Sequence, residues 1–337
     1  MRHSLLPLIL GSALILGGCS SKKYFEPQER YSADAALAHY EGEIVDISRD
    51  GATLSDGRYI DKNGISKINL GKGFRFLSEN SRYVLAGDDL GTLKVIDKKS
   101  GKLYKKITFE MPIVSASIHR DLIAYVLNNN AFGVYSMTQG KKLVENRSER
   151  TFAIDARAAT PLFIDTLVVM PMLDGKLVIF DVQEPDLYKV VYLSSDRIFN
   201  NIVYLSRTDD TLVAATPKKL LTLGAEGQYD YRANIAEVAI DTPYIYLFTK
   251  EGEIIKLDIY LKVLARKKFK FAQYSAATVV NGKVYALDKQ GSLIVLDKAL
   301  NRSKIYDVGE VTSAVYISGT KLYKDGIVIH LDKLGYE

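Results

Sequence analysis

The chain of 337 residues has no tryptophan, a single cysteine and only four histidines. With one cysteine there is no internal disulfide, so the fold rests on packing alone. His39, His119 and His330 stand far apart in sequence, and no Cys/His run has the spacing of a structural zinc site. No serine sits in a nucleophile elbow, and no glycine-rich loop leads from a strand into a helix to cradle phosphate. These absences point away from enzymes, metals and cofactors. Charge of one sign is also scarce. The net charge is +5, falling to +4 without Arg2, and it is scattered rather than gathered in a basic stripe, which argues against nucleic acid as a partner. Long apolar runs are missing too. Leu5 to Leu16 is the longest such stretch near the N-terminus, it contains Pro7 and Gly11, and it falls short of the about 20 residues a spanning helix needs.

What is there begins with the cysteine. Arg2, the apolar stretch and then Leu16-Gly17-Gly18-Cys19 resemble a bacterial lipoprotein signal. On that reading residues 1–18 are a signal peptide, and Cys19 carries the acyl chains, palmitate among them, that make anchoring effectively permanent. Ser20 and Ser21 follow in place of an inner-membrane retention aspartate, so the expected address is the periplasmic face of the outer membrane. Residues 19–40, rich in charge and serine with Pro27, read as a lipidated tether and arm.

From residue 41 to 337 apolar residues alternate or run in fours to sixes, punctuated by Gly, Asn and Asp, which is strand-and-turn chemistry without a sustained helical period. One motif recurs: Gly, any residue, an aliphatic, three residues, then Asp. It appears at Gly91/Asp97, Gly175/Asp181, Gly252/Asp258, Gly291/Asp297 and Gly326/Asp332. The first two gaps are about twice the last two, so degenerate copies are expected between them. Asn130 to Tyr135 and Pro217 to Leu223 fit, and a weak copy is expected near Gly51. A period near 40 residues is that of a four-stranded propeller blade. The expectation is therefore an all-β, single-domain propeller of eight blades, with seven as the alternative, closed by an N-terminal strand. The glycines supply positive φ at hairpins, and the aspartates accept backbone N–H bonds in the next turn. Each aspartate belongs to a different blade, which argues against a calcium array.

Strand, hairpin glycine, L-x-x-L-D and a Gly-Lys turn (Gly101-Lys102) resemble the quinoprotein-type, PQQ-like propeller repeat. Together with the cysteine motif, the chain resembles the BamB family, lipoprotein propellers of the outer-membrane barrel-assembly machinery. The repeat usually carries an interblade tryptophan; here tyrosines such as Tyr104, Tyr188 and Tyr306 are expected in its place. The quinone-binding enzymes of that repeat use a stacking tryptophan and a vicinal disulfide, neither of which this chain has. The resemblance thus implies a non-catalytic scaffold that assists assembly of outer-membrane β-barrels, in contact with barrel-assembly proteins and their unfolded clients. It also implies a partner-binding segment at Thr151 to Arg157, with Phe152, Ile154 and Arg157 as contact residues; an inward-facing strand is the other reading of Phe152 and Ile154. The competing class is a propeller that binds a small ligand or cell-wall glycan in its channel. The run Arg266 to Phe271 reads as an outer strand with one solvated face.

Overall fold

In the computed structural model, which describes residues 23–151, 154–195 and 198–337, strands fall into eight antiparallel sheets of four, one of which takes an added fifth strand. Each sheet is a blade, and together they form an eight-bladed propeller. Blades 1 to 7 comprise strands within 44–65, 75–108, 113–147, 162–192, 204–232, 235–268 and 274–307. Blade 8 combines three strands at 315–330 with Leu37–His39, which pairs antiparallel with Ile327–His330 and so closes the ring from the N-terminal side.

Within a blade, position dictates composition. Second strands such as Tyr83–Gly87 and Leu122–Leu127 are covered by neighbouring blades on both faces and read as continuous apolar runs. Outer strands such as Val263–Lys268 alternate, with the charged face in water. The hydrophobic residues divide into eight clusters, one between each pair of adjacent blades. The core is therefore a ring of eight interfaces rather than one centre.

Aromatic pairs occupy several of these interfaces. Tyr59 stacks on Phe76 at 4.8 Å between blades 1 and 2, Phe109 meets Tyr125 at 4.4 Å between blades 2 and 3, and Phe248 meets Tyr274 edge-on at 5.8 Å between blades 6 and 7. Of the buried hydroxyls, that of Tyr246 donates to the Lys298 carbonyl and that of Tyr285 to the Leu331 carbonyl, both at 2.9 Å. Tyr306 is buried, but Tyr104 and Tyr188 are more than half exposed, which corrects the expectation that they act as wedges. They lie on outermost strands with no further strand laid over them; Tyr306, also on an outermost strand, is covered by Tyr31, and Tyr125, Tyr246 and Tyr285 lie on second strands.

The repeat residues sit in the hairpins. Gly91, Gly175, Gly252, Gly291 and Gly326 all adopt positive φ, between +74° and +83°. Asp97, Asp181, Asp258 and Asp297 each accept a backbone N–H from the following turn, whereas Asp332 lies in the short 3₁₀ turn Leu331–Lys333. The degenerate copies fall on the third strands of blades 3 and 5. In blade 1 the equivalent glycine is Gly57 before Tyr59–Asp61, not Gly51, which precedes the second strand. At Gly291 space is as restrictive as conformation: a Cβ would lie 2.2 Å from the Gly309 carbonyl oxygen. Left-handed backbone alone costs a non-glycine residue about 1–2 kcal/mol. Gly291→Ala is therefore expected to cost about 3 kcal/mol or more by urea unfolding, whereas Gly101→Ala, with open space around it, should cost only the conformational part. Equal costs at the two sites would refute the role of the Gly309 contact.

Candidate functional site

The innermost strands of the blades surround a central channel, and charged side chains from several blades meet there. Arg49 lies in the turn Ser48 to Gly51 that follows the innermost strand of blade 1 (Ile44–Ile47). Its Nε donates to the Val203 carbonyl at the entry to blade 5, and its Nη1 pairs with Glu237 Oε1 of blade 6 at 2.8 Å. Blades 1 and 5 are opposite in a ring of eight, so this side chain spans the channel. The guanidinium carbon also lies 5.8 Å from the Tyr204 ring centre, and burial pushes the Tyr204 phenol up to about 12. Asp50, reached by solvent but walled by protein, has its carboxyl raised by that crowding, with a Thr160 hydrogen bond and the Arg49 charge opposing.

A second arginine comes from the loop entering blade 4. Arg157 donates from Nε and Nη2 to the two Asp155 carboxylate oxygens at 2.8 and 2.6 Å, and from Nη1 to the Ala236 carbonyl of blade 6. Buried Asn201 holds the same loop, accepting from the Asp155 N–H at 2.7 Å and donating to its carbonyl at 3.0 Å. Burial alone would raise the Asp155 carboxyl; the two-point contact with Arg157 outweighs it and holds the group below the usual carboxylate range. A depressed folded-state value means stability that is present above the unfolded value near 4 and lost as pH falls through the folded one. Asp155→Asn is thus expected to cost about 2 kcal/mol at pH 7 and much less at pH 3. Parallel stability–pH curves for the two proteins would contradict this.

The expected contact residues fare differently. Phe152 lies outside the described residues. Ile154 is half-buried against the cluster between blades 3 and 4, and Arg157 is spent on Asp155 and Ala236 rather than offered outward. Arg49, Glu237 and Tyr204 were not legible as a group, because Arg49 is 154 residues from Val203 and 188 from Glu237. Of the run Arg266 to Phe271, Arg266 to Lys268 ends the outer strand of blade 6 as its alternation suggested, but the strand stops there: Phe269 is buried and Lys270 and Phe271 lie in the turn beyond.

Arg49 crosses the channel. The cavity beside it, lined by Asp46, Arg75, Ser115, Ile154, Ala158 and Thr160, measures about 210 Å³, under the roughly 300–1,000 Å³ of small-molecule sites. A recess of about 580 Å³ between blades 1 and 2 mixes Asp46, Asp56 and Asp89 with Lys72 and Arg75. Among the described residues no group of three or more His, Cys, Asp or Glu is placed to hold a metal ion, and no helix is long and apolar enough to cross a membrane.

Eight four-stranded blades around a channel, clasped by an N-terminal strand, define the class as an eight-bladed β-propeller. Two curated relatives carry the name plasminogen-binding protein PgbB, both from Helicobacter pylori. The one from strain J99 is 28% identical over 98% of this chain and 70% of its own length, and the one from strain 26695 is 26% identical over 98% and 69%. Among solved structures the chain is similar to BamB from Moraxella catarrhalis (TM-score 0.66, 14% identity, 87% of this chain and 98% of that one). It is also similar to the C-terminal WD40 domain of Sif2 (0.64, 14%, 87% and 98%) and to the computationally designed Ika8 protein (0.62, 15%, 87% and 97%). At these identities the likeness is one of fold. No family model matches the chain.

Proposed function

We propose that this chain is a non-catalytic, lipid-anchored propeller whose surface binds other proteins. The observation that carries the reading is the distribution of exposed apolar side chains. Leu187, Tyr188, Tyr192, Ile198 and Phe199, close together in sequence at blade 4, are each 51–72% exposed, while the channel is spanned by arginines that take internal partners. Tyr188 and Tyr192 stand on one face of their strand and line a groove with blade 3, and exposed aromatic groups gathered in this way mark protein interfaces. A channel ligand, whether a small molecule or a glycan strand, would have to displace Arg49 first.

The finer reading is a scaffold at the periplasmic face of the outer membrane, anchored through Cys19, that assists barrel assembly; the fold shared with BamB is what supports it. The relatives named for plasminogen binding support a second reading, in which this surface binds plasminogen, since they are similar over nearly the whole chain. Crosslinking in intact cells followed by affinity purification of the lipidated protein, together with binding of plasminogen to the purified chain, separates the two. Co-purified barrel-assembly proteins support the first and saturable plasminogen binding the second; if neither occurs, the binding reading fails. The anchor is checked by palmitate labelling, which Cys19→Ala is expected to abolish.

A further inference from the structure

The outermost strand of a blade has one edge that its own blade leaves unpaired, and among the described residues a further strand lies on that edge in blade 7 alone; such an edge is a template for another strand. In blade 7 that edge is already used. Tyr31–Ser32 lies parallel to Ser303–Asp307, in register Tyr31 to Tyr306, and makes this sheet five-stranded. Side chains secure the addition: the Tyr31 and Tyr306 rings are 6.2 Å apart, and Lys304 Nζ stands 4.5 Å from the Tyr31 ring centre. The molecule thus contains a worked instance of a short extended segment docking on its rim.

Most other rim strands carry charge that discourages pairing. Leu103–Thr108 has Lys105 and Lys106, and Val263–Lys268 ends on three consecutive cations. The rim strands of blades 1 and 8 are two and three residues long. Tyr188–Tyr192 of blade 4 is different: it reads Tyr-Lys-Val-Val-Tyr, with one charge in five residues. Its register places Tyr188, Val190 and Tyr192 opposite Phe180, Val178 and Lys176 on the face toward blade 3, where a groove of about 180 Å³ opens. The opposite face carries Lys189, and a recess of about 570 Å³ edged by Lys219 and Arg232 lies at the strand's end.

We infer that the free edge of Tyr188–Tyr192 docks an extended segment of a partner protein, which adds to blade 4 as a fifth strand in the way residues 31–32 add to blade 7. Backbone bonds supply the attachment, and alternate side chains the selectivity. Apolar residues of the guest pack toward Tyr188 and Tyr192, while acidic residues meet Lys189 and the basic recess. The inference rests on the protein-binding reading and names its site.

The test uses a capped, fluorescein-labelled ten-residue peptide alternating valine with glutamate, and the same peptide N-methylated at every second residue. The full chain is expected to bind the first saturably and the second at least tenfold more weakly. Tyr188→Lys with Tyr192→Lys should weaken binding at least tenfold, whereas Leu103→Lys with Tyr104→Lys on blade 2 should leave it unchanged. No saturable binding, or indifference to N-methylation or to the blade 4 substitutions, overturns the inference. If the blade 4 variant melts early, the N-methyl comparison on the native chain decides. A dimer abolished by the blade 4 substitutions would assign the edge to a second copy and also overturn it. Partner proteins captured by crosslinking while the peptide fails to bind would leave the binding function standing and remove this site alone.

Discussion

A chain shortened to begin at Glu41 is expected to melt at least about 10 °C below the full chain, or to fail to fold. The lost residues are built into three of the ring's parts. Phe25 packs edge-on against Phe269 at 5.7 Å inside the cluster between blades 6 and 7. Ala33 and Ala36 are buried in the cluster between blades 7 and 8, and Leu37–His39 is the outer strand of blade 8. Tyr40 meets Tyr323 at 5.5 Å. Full burial of a large apolar side chain stabilises by about 1.5–3 kcal/mol. Phe25 is buried while Leu37 and Tyr40 are half-buried, so with the alanines they contribute roughly 4–6 kcal/mol, near the lower end of a domain's whole stability. Each kcal/mol moves the melting point of a large domain by about 2 °C or more. Calorimetry on both chains checks this, and a melting point within about 3 °C of the parent would show that the clasp is dispensable.

Arg49→Ala is expected to cost about 2–4 kcal/mol, far more than a surface arginine. Both side chains of the Arg49–Glu237 pair are 19% exposed. Removing one partner of a buried pair costs about 3–5 kcal/mol, which channel water reduces here. The substitution also takes a donor from the Val203 carbonyl. Glu237→Ala leaves the arginine without its carboxylate, so the double variant should be less destabilised than the two single costs together. A coupling of about 1 kcal/mol or more in a urea-unfolding cycle is expected. A cost below about 0.5 kcal/mol for Arg49→Ala would mean that the contact across the channel contributes nothing.

The propeller was readable because its information is local. A hairpin glycine and its aspartate lie within seven residues, and the period repeats in one dimension, so Gly91/Asp97 and Gly291/Asp297 announce blades without any knowledge of what they touch. The aromatic wedges were harder. Tyr104 and Tyr125 look alike in sequence, and only the strand's rank within its blade decides which faces a neighbour and which faces water. The channel was illegible for a related reason. Ring closure sets blade 1 opposite blade 5, so Arg49 meets Val203 and Glu237 through geometry that no spacing encodes. Arg157 misled because a cation after two apolar residues looks available, while its partner, Asp155, stood two positions away. The bare edge at Tyr188–Tyr192 was present in the sequence as an absence of charge, but it gained meaning only once the other rim strands could be lined up beside it.

The order of attachments along the arm also sets how the molecule answers a pull from its N-terminal end. Load applied there reaches Phe25 first, then the two-residue pairing at Tyr31–Ser32, and only then the strand Leu37–His39 that belongs to blade 8. The first two attachments can let go while the ring's own strands stay paired, although the cluster between blades 6 and 7 then loses Phe25. Residues 23–32, once freed, extend to roughly 33–36 Å at the 3.3–3.6 Å that each extended residue spans. The slack released is that length less the distance they already cover, with Ala33 and Ala36 still held between blades 7 and 8. The arm would behave as a leash with a short stored length, giving way in steps before the ring itself feels the strain.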